Sequence, residues 1–137
     1  MGASSFLLAH VMFILSFALI GLDLFKCPVA TGIVLIISVI TYSWLGPFLP
    51  GDKYLLIVGY LVTINSMVVL AAGTKAAGGR LLIVLGASVV YMSDIFLTNW
   101  QFVDNNVGNA FYCYPLYYTA CILLALSAGR SRSQIIQ

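Results

Sequence analysis

Charge is what this chain lacks. Its 137 residues include no glutamate and a single histidine, and charged residues make up 7% of the total. A water-soluble domain carries about 25% charged residues, so this chain has too little polar surface to coat a globule in water. The net charge of +2 is small and scattered, which excludes the basic stripe of a nucleic-acid binder. The three cysteines, Cys27, Cys113 and Cys121, form no CxxC pair. Cys113 and Cys121 would lie about 12 Å apart along one helix, too far to bridge. A disulfide framework and a zinc site are therefore not expected, and the three read as small buried hydrophobes. A basic n-region ahead of a short apolar run is missing too, so no cleavable signal peptide is expected.

What the chain has instead is apolar length. It is 62% hydrophobic, with a mean hydropathy of +1.07. Five stretches, at about residues 3–22, 28–49, 53–73, 80–101 and 109–128, approach the roughly 20 residues that cross a hydrocarbon core. Backbone groups in lipid must be satisfied within the segment, so helices are expected; the alternation of a barrel strand is absent. The predicted architecture is all-α: a polytopic transmembrane bundle of five helices over residues 1–129, followed by a polar tail at 130–137. The connections "DLFKCP", "GPFLPGDK", "GTKAAGG" and "DNNVGN" hold the helix breakers. Pro28 suits a first helical turn and Asp52 an N-cap. All four connections are short, so consecutive helices are expected as antiparallel neighbours.

Lys26, Lys75, Arg80, Arg130 and Arg132 fall on one side of such a bundle, and only Lys53 falls on the other. The positive-inside rule then predicts an outside amino terminus and a cytoplasmic carboxyl terminus in a cell membrane. An outside amino terminus without a signal sequence is unusual and points to helices ahead of Met1. Trp44, Tyr54, Trp100 and Phe102 lie near the outer helix ends, where an aromatic belt forms.

Within this frame Asp94 stands out, inside "LGASVVYMSDIFLTNW" at residues 85–100. At about 1.5 Å of rise per residue, Asp94 and His10 each lie roughly 10 Å from the outer ends of their helices, so the two can meet at one depth. Tyr117 and Tyr118, and Ser38, Thr41 and Tyr42, reach the same zone; Asn65 lies nearer the midplane. No Lys or Arg shares the depth of Asp94. A charged carboxylate at the bilayer centre costs about 2.5–3.5 kcal/mol on insertion scales. Asp94 is therefore expected to face the bundle interior as a neutral acid able to donate a proton, with His10 sharing that proton. Plainer readings stand beside this one. An intramembrane Asp can hydrogen-bond helices together, as can Asn65, and the tyrosines can be packing residues with satisfied hydroxyls. Gly86 shares a face with Val90, Ser93 and Asp94 and would admit a close neighbouring helix.

Three stretches carry a resemblance. Gly86, Ala87, Ser93, Asp94, Leu97 and Phe102 resemble the G-A-x-x-F-x-x-S-D-x-x-L-A…F signature of the YhhN / TMEM86 family, the lysoplasmalogenases. Tyr117, Tyr118, Ala120 and Leu123 in "YYTACILLALS" resemble that family's closing Y-Y-x-A-Q-x-L motif. Gly2, Phe6 and His10 resemble its G-x-x-x-F-x-x-x-H-x-x-Y segment. The resemblance implies a larger bundle of which this chain covers the closing five helices. It also implies hydrolysis of the vinyl ether bond of lysoplasmalogens to a fatty aldehyde and a glycerophospho-ethanolamine or -choline. Asp94 would donate the proton as a catalytic residue. His10 would orient water or relay protons, and Tyr117 and Tyr118 would hold the water or the glycerol hydroxyls. Ser93, Asn65 and Tyr42 are further candidate substrate contacts. No metal and no cofactor are expected, and a lysophospholipid-like substrate would enter sideways from the bilayer. The chain departs from the pattern at Cys121, where the family has Gln, and at Phe13, where it has Tyr. The family's Gly-Asp motif on an early helix has no counterpart here.

Two other function classes fit the residues. One is a non-catalytic multipass membrane protein that binds lipid or serves as a subunit of a membrane complex. The other is a proton-coupled carrier, which one carboxylate without a polar chain across the membrane supports poorly. Five helices leave a thin wall around Asp94, so a homodimer or a partner membrane subunit suits either class.

Overall fold

The computed structural model describes residues 2–23, 25, 27–76, 78–104 and 106–133. Lys26, residues 134–137 of the tail and the side chain of Arg132 lie outside the described residues. The elements are α1 (Gly2–Ile20), α2 (Cys27–Leu45), α3 (Tyr54–Gly73), α4 (Arg80–Phe102) and α5 (Val107–Ser133). Four helical spans, Cys27–Phe48, Gly51–Gly73, Arg80–Phe102 and Val107–Arg130, are long and apolar enough to cross a membrane. Within α1 a shorter apolar stretch runs from Phe6 to Ile20. Leu19, Val29, Ile36, Leu55 and Leu81 stand exposed on the outer faces, as side chains in contact with lipid do.

Helix ends follow local chemistry. α2 stops at Leu45 rather than near Leu49 because Gly46 and Pro47 turn the chain into a 3-10 turn at Gly46–Phe48; Pro47 has no N–H to continue the ladder. A second 3-10 turn, Gly51–Lys53, leads into α3. Asp52 sits in that turn and does not cap α3, whose first position follows Lys53 with no side-chain cap. α5 runs past Ala128 to Ser133 with Pro115 inside it. The Thr119 hydroxyl donates back to the Pro115 carbonyl at 2.7 Å.

α3 is the hub, packing on α1, α2 and α4, while α4 and α5 share the most extensive interface. The expected antiparallel neighbours hold for α2–α3, α3–α4 and α4–α5. α1 instead packs on α3 rather than on α2. The reason lies in the loops. Asp23 N donates to Gly73 O at 2.6 Å and Lys75 N to Gly21 O at 2.9 Å, and Leu22 bridges Thr74. Gly21 turns the chain there with φ +97°, a conformation glycine adopts without strain. Tying the α1–α2 connection to the α3–α4 connection carries α2 to a different flank of α3.

At Gly86, α4 and α5 approach closely. An added Cβ would sit 2.8 Å from Leu124 Cγ and 3.4 Å from the Ala120 carbonyl. The core around it includes Phe17, Met67, Ala71, Ile83, Ala87 and Leu124. These residues fill the half of the bundle nearer the α1–α2 and α3–α4 connections. The opposite half buries Leu45, Ile57 and Cys113 but is less completely packed.

Candidate functional site

That half holds a cavity of about 430 Å³ bounded by α2, α3 and α4, with Phe6 from α1. Leu45, Ile57, Leu61, Ile64, Ile95 and Leu97 make its wall largely apolar, and Asp94 is set into that wall. Asp94 is 3% exposed and His10 2%. One carboxylate oxygen, Oδ2, lies 3.0 Å from His10 Nε2. The other imidazole nitrogen, Nδ1, lies 2.6 Å from the Phe6 carbonyl, one turn earlier in α1. A carbonyl can only accept, so Nδ1 carries a hydrogen. The Nε2–Oδ2 contact then holds one shared proton, either imidazolium donating to carboxylate or carboxylic acid donating to neutral imidazole. In both forms His10 occupies Oδ2 and leaves Oδ1.

Oδ1 is buried with no hydrogen-bond partner. The hydroxyl of Tyr60, also buried without a well-formed hydrogen bond, interacts with the Asp94 carboxyl group; Tyr60 lines the same cavity and meets the His10 ring in a T-shaped contact with centroids 5.5 Å apart. Buried polar groups are nearly always satisfied, and leaving one unpaired costs about 1–3 kcal/mol. A carboxyl group and a phenol hydroxyl side by side on an apolar wall are the polar groups this part of the cavity offers to a ligand or a water.

The floor of the cavity is fixed by a network across three helices. Ser38 on α2 donates to Asn65 Oδ1 on α3 at 2.9 Å, which leaves the Tyr91 hydroxyl on α4 to donate to Ser38 at 3.0 Å. Above Asp94, the Thr98 hydroxyl is turned back onto the Asp94 carbonyl at 2.7 Å. Lys53, Gln101 and Phe102 close the far end of the lining.

The residues expected from sequence fall into two groups. Asp94 and His10 meet directly, but only Asp94 lines the cavity. Ser93, Tyr117, Tyr118, Asn65 and Tyr42 do not line it. Ser93 is buried and donates to the Cys113 carbonyl at 3.0 Å, clamping α4 to α5. Asn65 belongs to the floor network. The Tyr42 hydroxyl donates to that of Tyr54 at 3.0 Å on an exposed surface. Tyr117 packs on Phe6 and Tyr118, with ring centroids 5.2 and 5.9 Å away, and Tyr118 is exposed. Tyr60, Tyr91 and Lys53 were not singled out from sequence as site residues. The depth arithmetic that located Asp94 would have found Tyr60, two turns along α3 from Lys53.

A family model described as "YhhN family" matches residues 1–128. No curated protein and no solved structure matches the chain.

Proposed function

The chain belongs to the YhhN family, and on that premise we propose that it hydrolyses the vinyl ether bond of a lysoplasmalogen-type lipid. The products are a fatty aldehyde and a glycerophospho-base. The observation that carries this reading is the divided carboxyl group of Asp94: Oδ2 held by His10, Oδ1 unpartnered at the wall of an apolar cavity.

Vinyl ether hydrolysis begins with proton transfer to the β-carbon. The π electrons form the new C–H bond, and an oxygen lone pair stabilises the resulting oxocarbenium ion. The donor has to be Oδ1–H, since the Oδ2 side is taken by His10. The active dyad therefore carries two protons, one at Oδ1 and one between Oδ2 and Nε2. Delivery of the first moves a positive charge from the dyad to the substrate without creating a new ion pair in the apolar cavity. That is the economical course where the dielectric is low. Water then adds to the oxocarbenium carbon and returns its proton to Oδ1. The hemiacetal collapses, its hydroxyl proton passing to the departing glycerol oxygen. Tyr60, whose hydroxyl lies beside the Asp94 carboxyl group on the same wall, is the group available to hold that water. His10 lies behind Asp94 and is a positioning residue that acts through it.

The test is aldehyde release from a lysoplasmalogen by the purified chain in detergent, with Asp94→Asn as the control. A folded wild type without aldehyde release, or full activity in Asp94→Asn, defeats the proposal. A second reading, lipid binding without turnover, is favoured by one observation: Asp94 is the only carboxylate on the cavity wall among the described residues. Co-purified lipid without turnover supports it.

A further inference from the structure

Apart from Asp94, the cavity wall carries one other charged side chain among the described residues, Lys53. Lys53 closes the Gly51–Lys53 turn at the start of α3. Its ammonium lies 6.0 Å from the centroid of the Phe102 ring, at the outer limit of a cation–π contact. Phe102 lines the cavity as well, so the contact keeps the charge beside the mouth. Asp52, the neighbouring residue, is not part of the cavity wall. Asp52 lines an adjoining groove with Leu7, Leu55 and Gly59, on the other side of Leu56 and Tyr60, which line both. Gln101, exposed at the end of α4, adds an amide donor to the same mouth.

The cavity is thus polarised along its length, with a carboxyl group at depth, an apolar body and a cation with an amide at the helix ends. Asp94 and Gln101 are separated by about 10 Å along α4. A glycerol unit reaching from an ether bond at Asp94 brings its phosphate to the mouth within that span. Helix ends are also where lipid phosphates lie relative to the hydrocarbon core.

We propose that Lys53, assisted by Gln101, is an anion subsite that binds the headgroup phosphate of a single-tailed phospholipid whose ether end lies at Asp94. This rests on the hydrolase reading for the identity of the deep end, but the subsite itself is a matter of binding. A lysine bonds phosphate as a compact charged donor, so a ligand lacking the phosphate should lose affinity while keeping the apolar contacts.

Two probes separate these contributions: a saturated 1-alkyl lysophosphocholine, which has no vinyl ether to protonate, and the 1-alkylglycerol of the same tail. Affinities are read by competition against the radiolabelled lysophosphocholine on the full chain in nanodiscs. The wild type is expected to prefer the phosphate-bearing ligand by about tenfold. Lys53→Gln should narrow that preference to roughly threefold or less, and Lys53→Arg should restore it. Circular dichroism verifies that each variant folds. A wild type without the preference, or Lys53→Gln that keeps it, overturns the anion subsite. That second result would make Lys53 an interface anchor only. Absence of aldehyde release with the preference intact overturns the hydrolase reading and leaves the subsite standing.

Discussion

Tyr60 on α3 and His10 on α1 meet in a T-shaped contact, planes at 70°, yet only Tyr60 reaches the cavity wall. The imidazole is enclosed by Phe6, Tyr60 and Asp94. A ligand in the cavity touches Asp94 and Tyr60, and any influence of His10 on it passes through them. This arrangement assigns different kinetic signatures to the three side chains.

Asp94→Asn keeps the shape of the carboxyl group and removes its acidity. Aldehyde release should fall by roughly 10²- to 10⁴-fold, the usual worth of a general acid. Thermal unfolding in detergent should change little, because the amide can still meet His10 Nε2. Loss of activity together with loss of the folded state would leave the proton-donor role without support.

His10→Gln should lower kcat with KM largely retained, since the residue lines no part of the cavity. A change confined to KM would mean that the imidazole contacts substrate after all.

For Tyr60→Phe the loss is that of one hydrogen bond to a group developing charge, about 1.5–3 kcal/mol, or about 10- to 150-fold in kcat. The protein neighbour of the hydroxyl is the Asp94 carboxyl group, without a well-formed hydrogen bond, so removing the hydroxyl should lower stability by no more than about 1 kcal/mol. A variant as active as wild type would show that water is held elsewhere.

Gly86→Val should destabilise the bundle by about 1–3 kcal/mol through overpacking, because the space for a Cβ is occupied by Leu124 and the Ala120 carbonyl. Adding Leu124→Ala should recover part of the loss, since residues in contact couple. Unfolding temperatures of the single and double variants measure this, and strict additivity would count against the close approach.

Ser93→Ala removes the hydroxyl that donates to the Cys113 carbonyl. Stability should fall by about 1 kcal/mol. An unchanged unfolding temperature with a raised KM would return Ser93 to the substrate.

The amino-acid sequence by itself determined the helices and their membrane character. Hydropathy and segment length act locally, and a backbone in lipid has no alternative to internal hydrogen bonding. It also determined depth, because the helical rise is constant: His10 and Asp94 were placed at one level, and they lie 3.0 Å apart. Depth is only one cylindrical coordinate. The direction a side chain takes around its helix depends on which neighbours that helix packs against, and a paired-loop contact at Leu22 and Thr74 sends α1 to α3 rather than α2. Only the tertiary structure therefore decided that Tyr60, Lys53 and Asp94 share a cavity while Ser93, Tyr42 and Tyr118, at comparable depths, face elsewhere.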